Sequence, residues 1–154
     1  MAQDDLVIDP WGSAQSTDYD RIIDRFGLTS MEGVQLDSPS KLHRRGIVFA
    51  HRDVDQILEA QRTGAPFGVL TGLMPSGQMH LGHSMVVEQA RWFQEQGGDV
   101  TIAVADLESQ ATRGVSLAKG RTVALEEYIS HYAALGLDPA TVSYTHLTLP
   151  TNSG

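Results

Sequence analysis

The sequence predicts an α/β fold, a parallel sheet of the doubly wound kind entered after a mainly helical N-terminal appendage. Three observations predict it. Apolar residues recur at helical spacing between glycine stops over the first 64 residues. Two short apolar runs of strand composition, Phe67 to Thr71 and Val100 to Ala105, flank one amphipathic helix within about 40 residues, as a parallel βαβ unit requires. A second long amphipathic stretch, Ser116 to Leu135, supplies another helix to pack on the same sheet.

Taken in order, residues 1 to 17 read as an extended arm anchored through Trp11 after the Asp9-Pro10 turn, and Asp18 can cap a helix. That helix spans Tyr19 to Phe26, with Ile22, Ile23 and Phe26 on one face and Gly27 as its stop. Residues 28 to 45 read as a loop, followed by the apolar run Ile47-Val48-Phe49. Asp53 precedes a second helix, in which Val54, Ile57, Leu58 and Gln61 share a face until Gly64. The first strand then leads through Gly72-Leu73-Met74-Pro75-Ser76-Gly77-Gln78-Met79 into a helix beginning near His80. This helix is expected to bury Leu81, Met85, Val86 and Trp92 or Phe93 and to end at Gly97-Gly98, before the second strand. The last helix, capped by Ser116, is expected to place Leu125, Tyr128, Ile129, Tyr132 and Leu135 on its core face, with Gly136 as the stop.

Composition narrows the function. A chain of 154 residues with 41% hydrophobic and 19% charged residues has enough apolar material for one compact domain. It has no cysteine, so disulfides and thiolate metal sites are excluded, and a cytoplasmic location is expected. No run of about 18 apolar residues and no basic, apolar leader points to a membrane. Eleven Lys and Arg against nineteen Asp and Glu give a net charge of −8, which excludes nucleic-acid affinity resting on global charge. The one basic cluster is Lys41, His43, Arg44, Arg45, His51 and Arg52. It reads first as a solvated face and second as a local phosphate contact.

The chemistry is concentrated between Gly72 and His83. The loop enters a helix whose first turn is His80-Leu81-Gly82-His83, so two imidazoles and a row of backbone N–H groups meet at a positive helix end suited to phosphate. His80 and His83 share a face, where each can donate a hydrogen bond to a phosphoryl oxygen during displacement at an α-phosphate. Gly82 leaves the backbone open to a flat adenine base. Two such histidines alone would serve metal binding or a plain surface equally well. Their context is a buried strand, a Thr-Gly turn, Pro-Ser-Gly and then His-Leu-Gly-His, at the edge where doubly wound sheets bind nucleotide. There is no Walker loop and no G-x-G-x-x-G fingerprint.

That order resembles the HIGH signature of class I aminoacyl-tRNA synthetases. Upstream, Asp9-Pro10-Trp11, Asp18-Tyr19-Asp20, Arg25-Phe26-Gly27 and Arg44-Arg45-Gly46-Ile47-Val48-Phe49-Ala50-His51-Arg52-Asp53 resemble the N-terminal region of the archaeal and eukaryotic tryptophanyl-tRNA synthetases. The resemblance runs from about Val7 to about Thr141. It implies the first half of a Rossmann-like class I sheet, with residues 1–64 as the appendage, 65–141 as the first half of the nucleotide-binding catalytic domain and 142–154 as an atypical tail. It also implies activation of tryptophan by ATP with Mg²⁺, transfer to tRNA(Trp), a homodimer, and no protein-bound metal. Carried over residue by residue, the ATP-binding positions are Gly72, Pro75, Ser76, Gly77, Gln78, Met79, His80, Leu81, Gly82 and His83, with His80 and His83 catalytic. The amino-acid-binding positions are Glu108, holding the tryptophan ammonium, and Leu70. Leu70 and Ala103 stand where the eukaryotic pattern has a Tyr and a Gln that read the amino acid, so indole recognition is expected from other groups.

No Lys-Met-Ser-Lys-Ser-type loop, second βαβ half or anticodon-binding domain follows in these residues. Catalysis is therefore expected of a complete enzyme rather than of this segment alone. The stretch from Val142 to Gly154 reads as adaptor sequence joined to a truncated frame, or else as a divergent strand and tail, Val142 to Leu149 having strand composition. The alternatives in function are a non-catalytic nucleotide-binding protein and the related tyrosyl-tRNA synthetase.

Overall fold

The computed structural model describes residues 19–144, so the readings of the Trp11 arm and the Asp18 cap lie outside the described residues. The N-terminal part contains α1 (Tyr19–Phe26), β1 (Thr29–Ser30), α2 (Lys41–Arg44), β2 (Ala50–His51) and α3 (Val54–Thr63). As expected, α1 stops at Gly27, whose φ of +58° is open to glycine, and the Leu28 amide closes back on the Ile23 carbonyl at 2.9 Å.

The segment read as a loop is more ordered than that. Thr29 and Ser30 pair antiparallel with His51 and Ala50, while α2 is a single turn capped by Ser40, whose hydroxyl accepts from the Leu42 and His43 amides. Two-residue strands and a four-residue helix are too short to leave a period in the sequence. Asp53 does precede α3, but it has φ +58° and its carboxylate caps nothing. The Val54 amide instead donates to His51 Nδ1 at 3.3 Å.

The basic cluster is largely absorbed by these contacts. Lys41 Nζ lies 3.5 Å from the buried Glu88, Arg44 donates to the Pro39 carbonyl, and Arg52 donates to the Phe26 carbonyl at 2.6 Å, at the end of α1. The His43 ring packs on Trp92, centroids 4.6 Å apart. These contacts favour the solvated-face reading of the cluster over a phosphate contact.

The second part carries the sheet. Strands β3 (Gly68–Leu73), β4 (Asp99–Val104) and β5 (Val142–Tyr144) lie parallel in that order, with Gly68 opposite Asp99 and Val100 opposite Val142. The expected βαβ unit is thus present, its crossover being α4 (Leu81–Glu95), and β5 extends the sheet into the segment set apart as a tail. Val100, Ile102 and Val104 alternate inward on β4 and form the core with Val87, Ala90, Tyr128, Tyr132 and Leu137. Gly98, before β4, has no room for a side chain: a Cβ would stand 2.6 Å from the Phe67 ring.

Two expectations about buried faces need correction. Leu81, expected in the core, is 79% exposed, because it is the first residue of α4 and no described layer covers it; Trp92 is buried as expected, and Val87 and Ala90 join it. The last helix is not one α-helix. It runs as α6 (Leu117–Val123), a π-helical segment (Ala124–Ile129) and α7 (Ser130–Ala134). A π turn closes its hydrogen bonds one residue later than an α turn, so the chain gains a residue and the upstream face rotates. Ala124 is therefore buried with Tyr128 and Leu125 is exposed, while downstream Tyr132 is buried and Leu135, past the end of α7, is exposed. A further helix, α5 (Asp106–Arg113), follows β4 directly and was not foreseen.

Candidate functional site

The C-terminal ends of β3 and β4, the loop into α4 and the first turn of α5 surround a cleft of about 540 Å³. Of the residues singled out in the sequence, Gly72, Ser76, Gly77, Gln78, His80, His83 and Glu108 line it. Pro75 is buried beneath the loop, Met79 packs against the core, and Leu81 and Gly82 lie in the exposed first turn of α4. Leu70 does not line the cleft and is 75% exposed on the open face of β3. Leu73, Met74, Ala105, Arg113 and Tyr128 complete the lining, and none of them was foreseen as a site residue. Arg113 carries no motif, and Tyr128 reads in sequence as a core aromatic.

The two histidines cap the helix they begin. The His80 amide donates to His83 Nδ1, and the Gly82 amide donates to His80 Nδ1, both at 3.2 Å. The helix start is therefore not the open row of amides expected from sequence, since the imidazoles satisfy two of them. A ring nitrogen that accepts carries no proton, so both neutral rings hold their hydrogen on Nε2. The rings lie 4.0 Å apart, centroid to centroid, and present two Nε2–H donors side by side. Burial, and then the neighbouring His80, pushes the His83 pKa below its ordinary value, which keeps that ring neutral. Gly82 has a visible steric reason: a Cβ there would come within 3.1 Å of His80 Cε1 and Nδ1.

The loop is fixed from below by elements distant in sequence. Ser109 Oγ, fully buried on α5, donates to the Pro75 carbonyl at 3.1 Å. Tyr128 Oη, on the π segment, donates to the Met74 carbonyl at 3.1 Å. Burial raises the Tyr128 pKa, partly offset by the Ser76 and Gly77 amides that face the phenol oxygen, and Glu127 raises it further. The phenol therefore stays protonated and can donate.

Helix α5 separates its two carboxylates. Asp106 turns inward, 6% exposed, with Oδ1 accepting from the Leu107 amide at 2.8 Å, whereas Glu108 lines the cleft. Arg113 lines the same cleft from the other end of α5, about 7.5 Å further along the axis at 1.5 Å per residue. An anion and a cation thus stand on one wall, facing the paired imidazoles. Among the described residues no three His, Asp or Glu side chains converge as a metal-holding group, and no helix is long and apolar enough to cross a membrane.

Comparison with known proteins gives a consistent picture. The family model described as tRNA synthetases class I (W and Y) matches residues 62–150. The tryptophan–tRNA ligase of Methanosarcina acetivorans is 45% identical over 142 residues, covering 91% of this chain and 32% of that protein. That of Aeropyrum pernix is 42% identical over 153 residues, covering 96% and 40%. The chain thus spans roughly a third of the length of the curated relatives it matches. The crystal structure of tryptophanyl-tRNA synthetase from Aeropyrum pernix superposes with a TM-score of 0.76 at 43% identity, covering 89% of this chain and 39% of that one.

Proposed function

Because the chain belongs to the class I tRNA synthetases of the tryptophan and tyrosine family, we propose that it forms the ATP-binding half of a tryptophan–tRNA ligase. The observation that carries this reading is the pair of imidazoles, each locked with Nε2–H outward, in one cleft with Glu108. In the reaction a tryptophan carboxylate oxygen bonds to the α-phosphorus of ATP. The bond from that phosphorus to the bridging oxygen breaks, and pyrophosphate leaves with the electron pair. His80 and His83 donate to phosphoryl oxygens as charge shifts onto them, a role for which the Nδ1 contacts to backbone amides already orient both rings. Glu108 pairs with the ammonium group and leaves the carboxylate free to attack. Arg113 adds positive charge at the far end of the same helix, lining the cleft. Mg²⁺ is read as part of the substrate, arriving on the triphosphate.

Leu70 lies outside the cleft, so recognition of the indole falls to residues other than the two positions used by the eukaryotic pattern. Transfer to tRNA(Trp), a homodimeric assembly and cytoplasmic location belong to the same proposal and to the complete protein. Equilibrium dialysis of the 154-residue chain tests the part that is present. ATP should bind and tryptophan should displace nothing from the nucleotide site, whereas a chain that binds no ATP defeats the reading. The competing tyrosine reading, which the family description includes, predicts that a complete enzyme exchanges pyrophosphate with tyrosine in preference to tryptophan.

A further inference from the structure

We infer that Tyr128 is the positioning residue for the phosphate-facing loop, tying its backbone down at the Met74 carbonyl. The inference rests on the nucleotide-site reading above. Three observations converge on it. The hydroxyl donates to the Met74 carbonyl at 3.1 Å, and the Ser76 amide donates to that same carbonyl at 2.8 Å, so one acceptor ties the turn to the helix. The residue is 2% exposed, and its ring meets His83 edge-on with centroids 5.6 Å apart. Finally, the residue sits in the one π turn among the described helices. A π turn forgoes regular α hydrogen bonding and occurs mostly as a single-turn insertion at functional sites. Here the insertion brings Ala124 and Tyr128 inward and sets the Tyr128 hydroxyl beneath the loop.

One side chain therefore holds both the loop and the second histidine. It acts on phosphate binding through the backbone it orients. The prediction separates phosphates from base: a loop set wrongly weakens contacts to the triphosphate and leaves the adenosine contacts unchanged.

Affinities of the 154-residue chain for ATP and for adenosine are measured by isothermal titration, wild type against Tyr128→Phe, with thermal melts to establish that both fold. The expected result is a loss of roughly five- to tenfold in ATP affinity, the scale of one buried hydrogen bond, with adenosine affinity unchanged. Equal ATP affinity in the two proteins, or an equal loss for ATP and adenosine, overturns the inference. Amide hydrogen exchange of wild type against Tyr128→Phe gives a second readout that needs no ligand. The Ser76 amide, which donates to the carbonyl that Tyr128 holds, should exchange faster in the variant while amides within α6 are unchanged, and equal exchange in the two proteins overturns the assignment. A wild-type chain that binds neither ATP nor adenosine defeats the nucleotide-site reading instead, and the exchange rates still decide whether Tyr128 holds the loop.

Discussion

Gly82→Ala is the sharpest perturbation of the site because stability and activity should respond unequally. An added Cβ would stand 3.1 Å from two atoms of the His80 ring, a few tenths of an ångström inside ordinary contact. The obstacle is an exposed side chain rather than backbone, so the ring swings away and the helix stays intact. Its departure breaks the bond from the Gly82 amide to His80 Nδ1, at 3.2 Å, costing about 1 kcal/mol as a lost cap. Alanine in place of glycine within a helix returns about the same amount. The net change in stability is therefore within ~1 kcal/mol, a shift of only a few degrees in melting temperature for a chain of this size. Activity has no such compensation. With His80 displaced, one of the two Nε2–H donors no longer faces the α-phosphate, and loss of a preorganised donor costs roughly 10²-fold. The assay is tryptophan-dependent pyrophosphate exchange by a full-length ligase built on this segment, beside a thermal melt. Wild-type exchange in a folded Gly82→Ala enzyme would refute the role given to His80 and the steric reason given for the glycine.

Other outcomes follow from the same geometry. His83→Ala should lower adenylate formation by roughly 10²-fold with little change in the KM for tryptophan, measured by pyrophosphate exchange. Acid should weaken the fold through histidine linkage. The His83 and His43 pKa values are both depressed, chiefly by burial, so their contribution is fully present above about 6.5 and is lost as pH falls below it, where the unfolded chain takes up the proton first. Melting temperatures across that range, with His83→Asn as control, check this, and a slope the substitution leaves unchanged would remove His83 from the account. Glu108→Gln should raise the KM for tryptophan more than that for ATP, and an unaltered tryptophan KM would take Glu108 out of the amino-acid site.

Much of this protein was legible in the sequence because its main elements are long enough to carry a period. The helix ending at Gly27, the helix ending at Gly64, and the strand, loop, helix and strand around His80 were each marked by apolar spacing and a glycine or Thr-Gly punctuation. The loop residues with chemistry were legible too, since two imidazoles at a helix start are a local pattern. What the sequence could not state is which way such groups turn. Glu108 and Asp106 are two residues apart on one helix, and only packing sends one into the cleft and the other inward. Leu125 fits an α-helical face and is exposed, because one inserted π turn rotates the register by a residue without altering the apolar count, and Leu135 is exposed because the helix ends one residue before it. Ser109 and Tyr128 reach the loop from 34 and 54 residues downstream of the carbonyls they bind, and Arg113 joins them in the cleft; tertiary contacts of that range leave no spacing to read. The sequence alone thus determined the family and the loop proposed to meet phosphate. Tertiary structure decided the tautomer of the histidines, the support beneath them and the wall opposite, because those depend on atoms brought together by folding rather than by order along the chain.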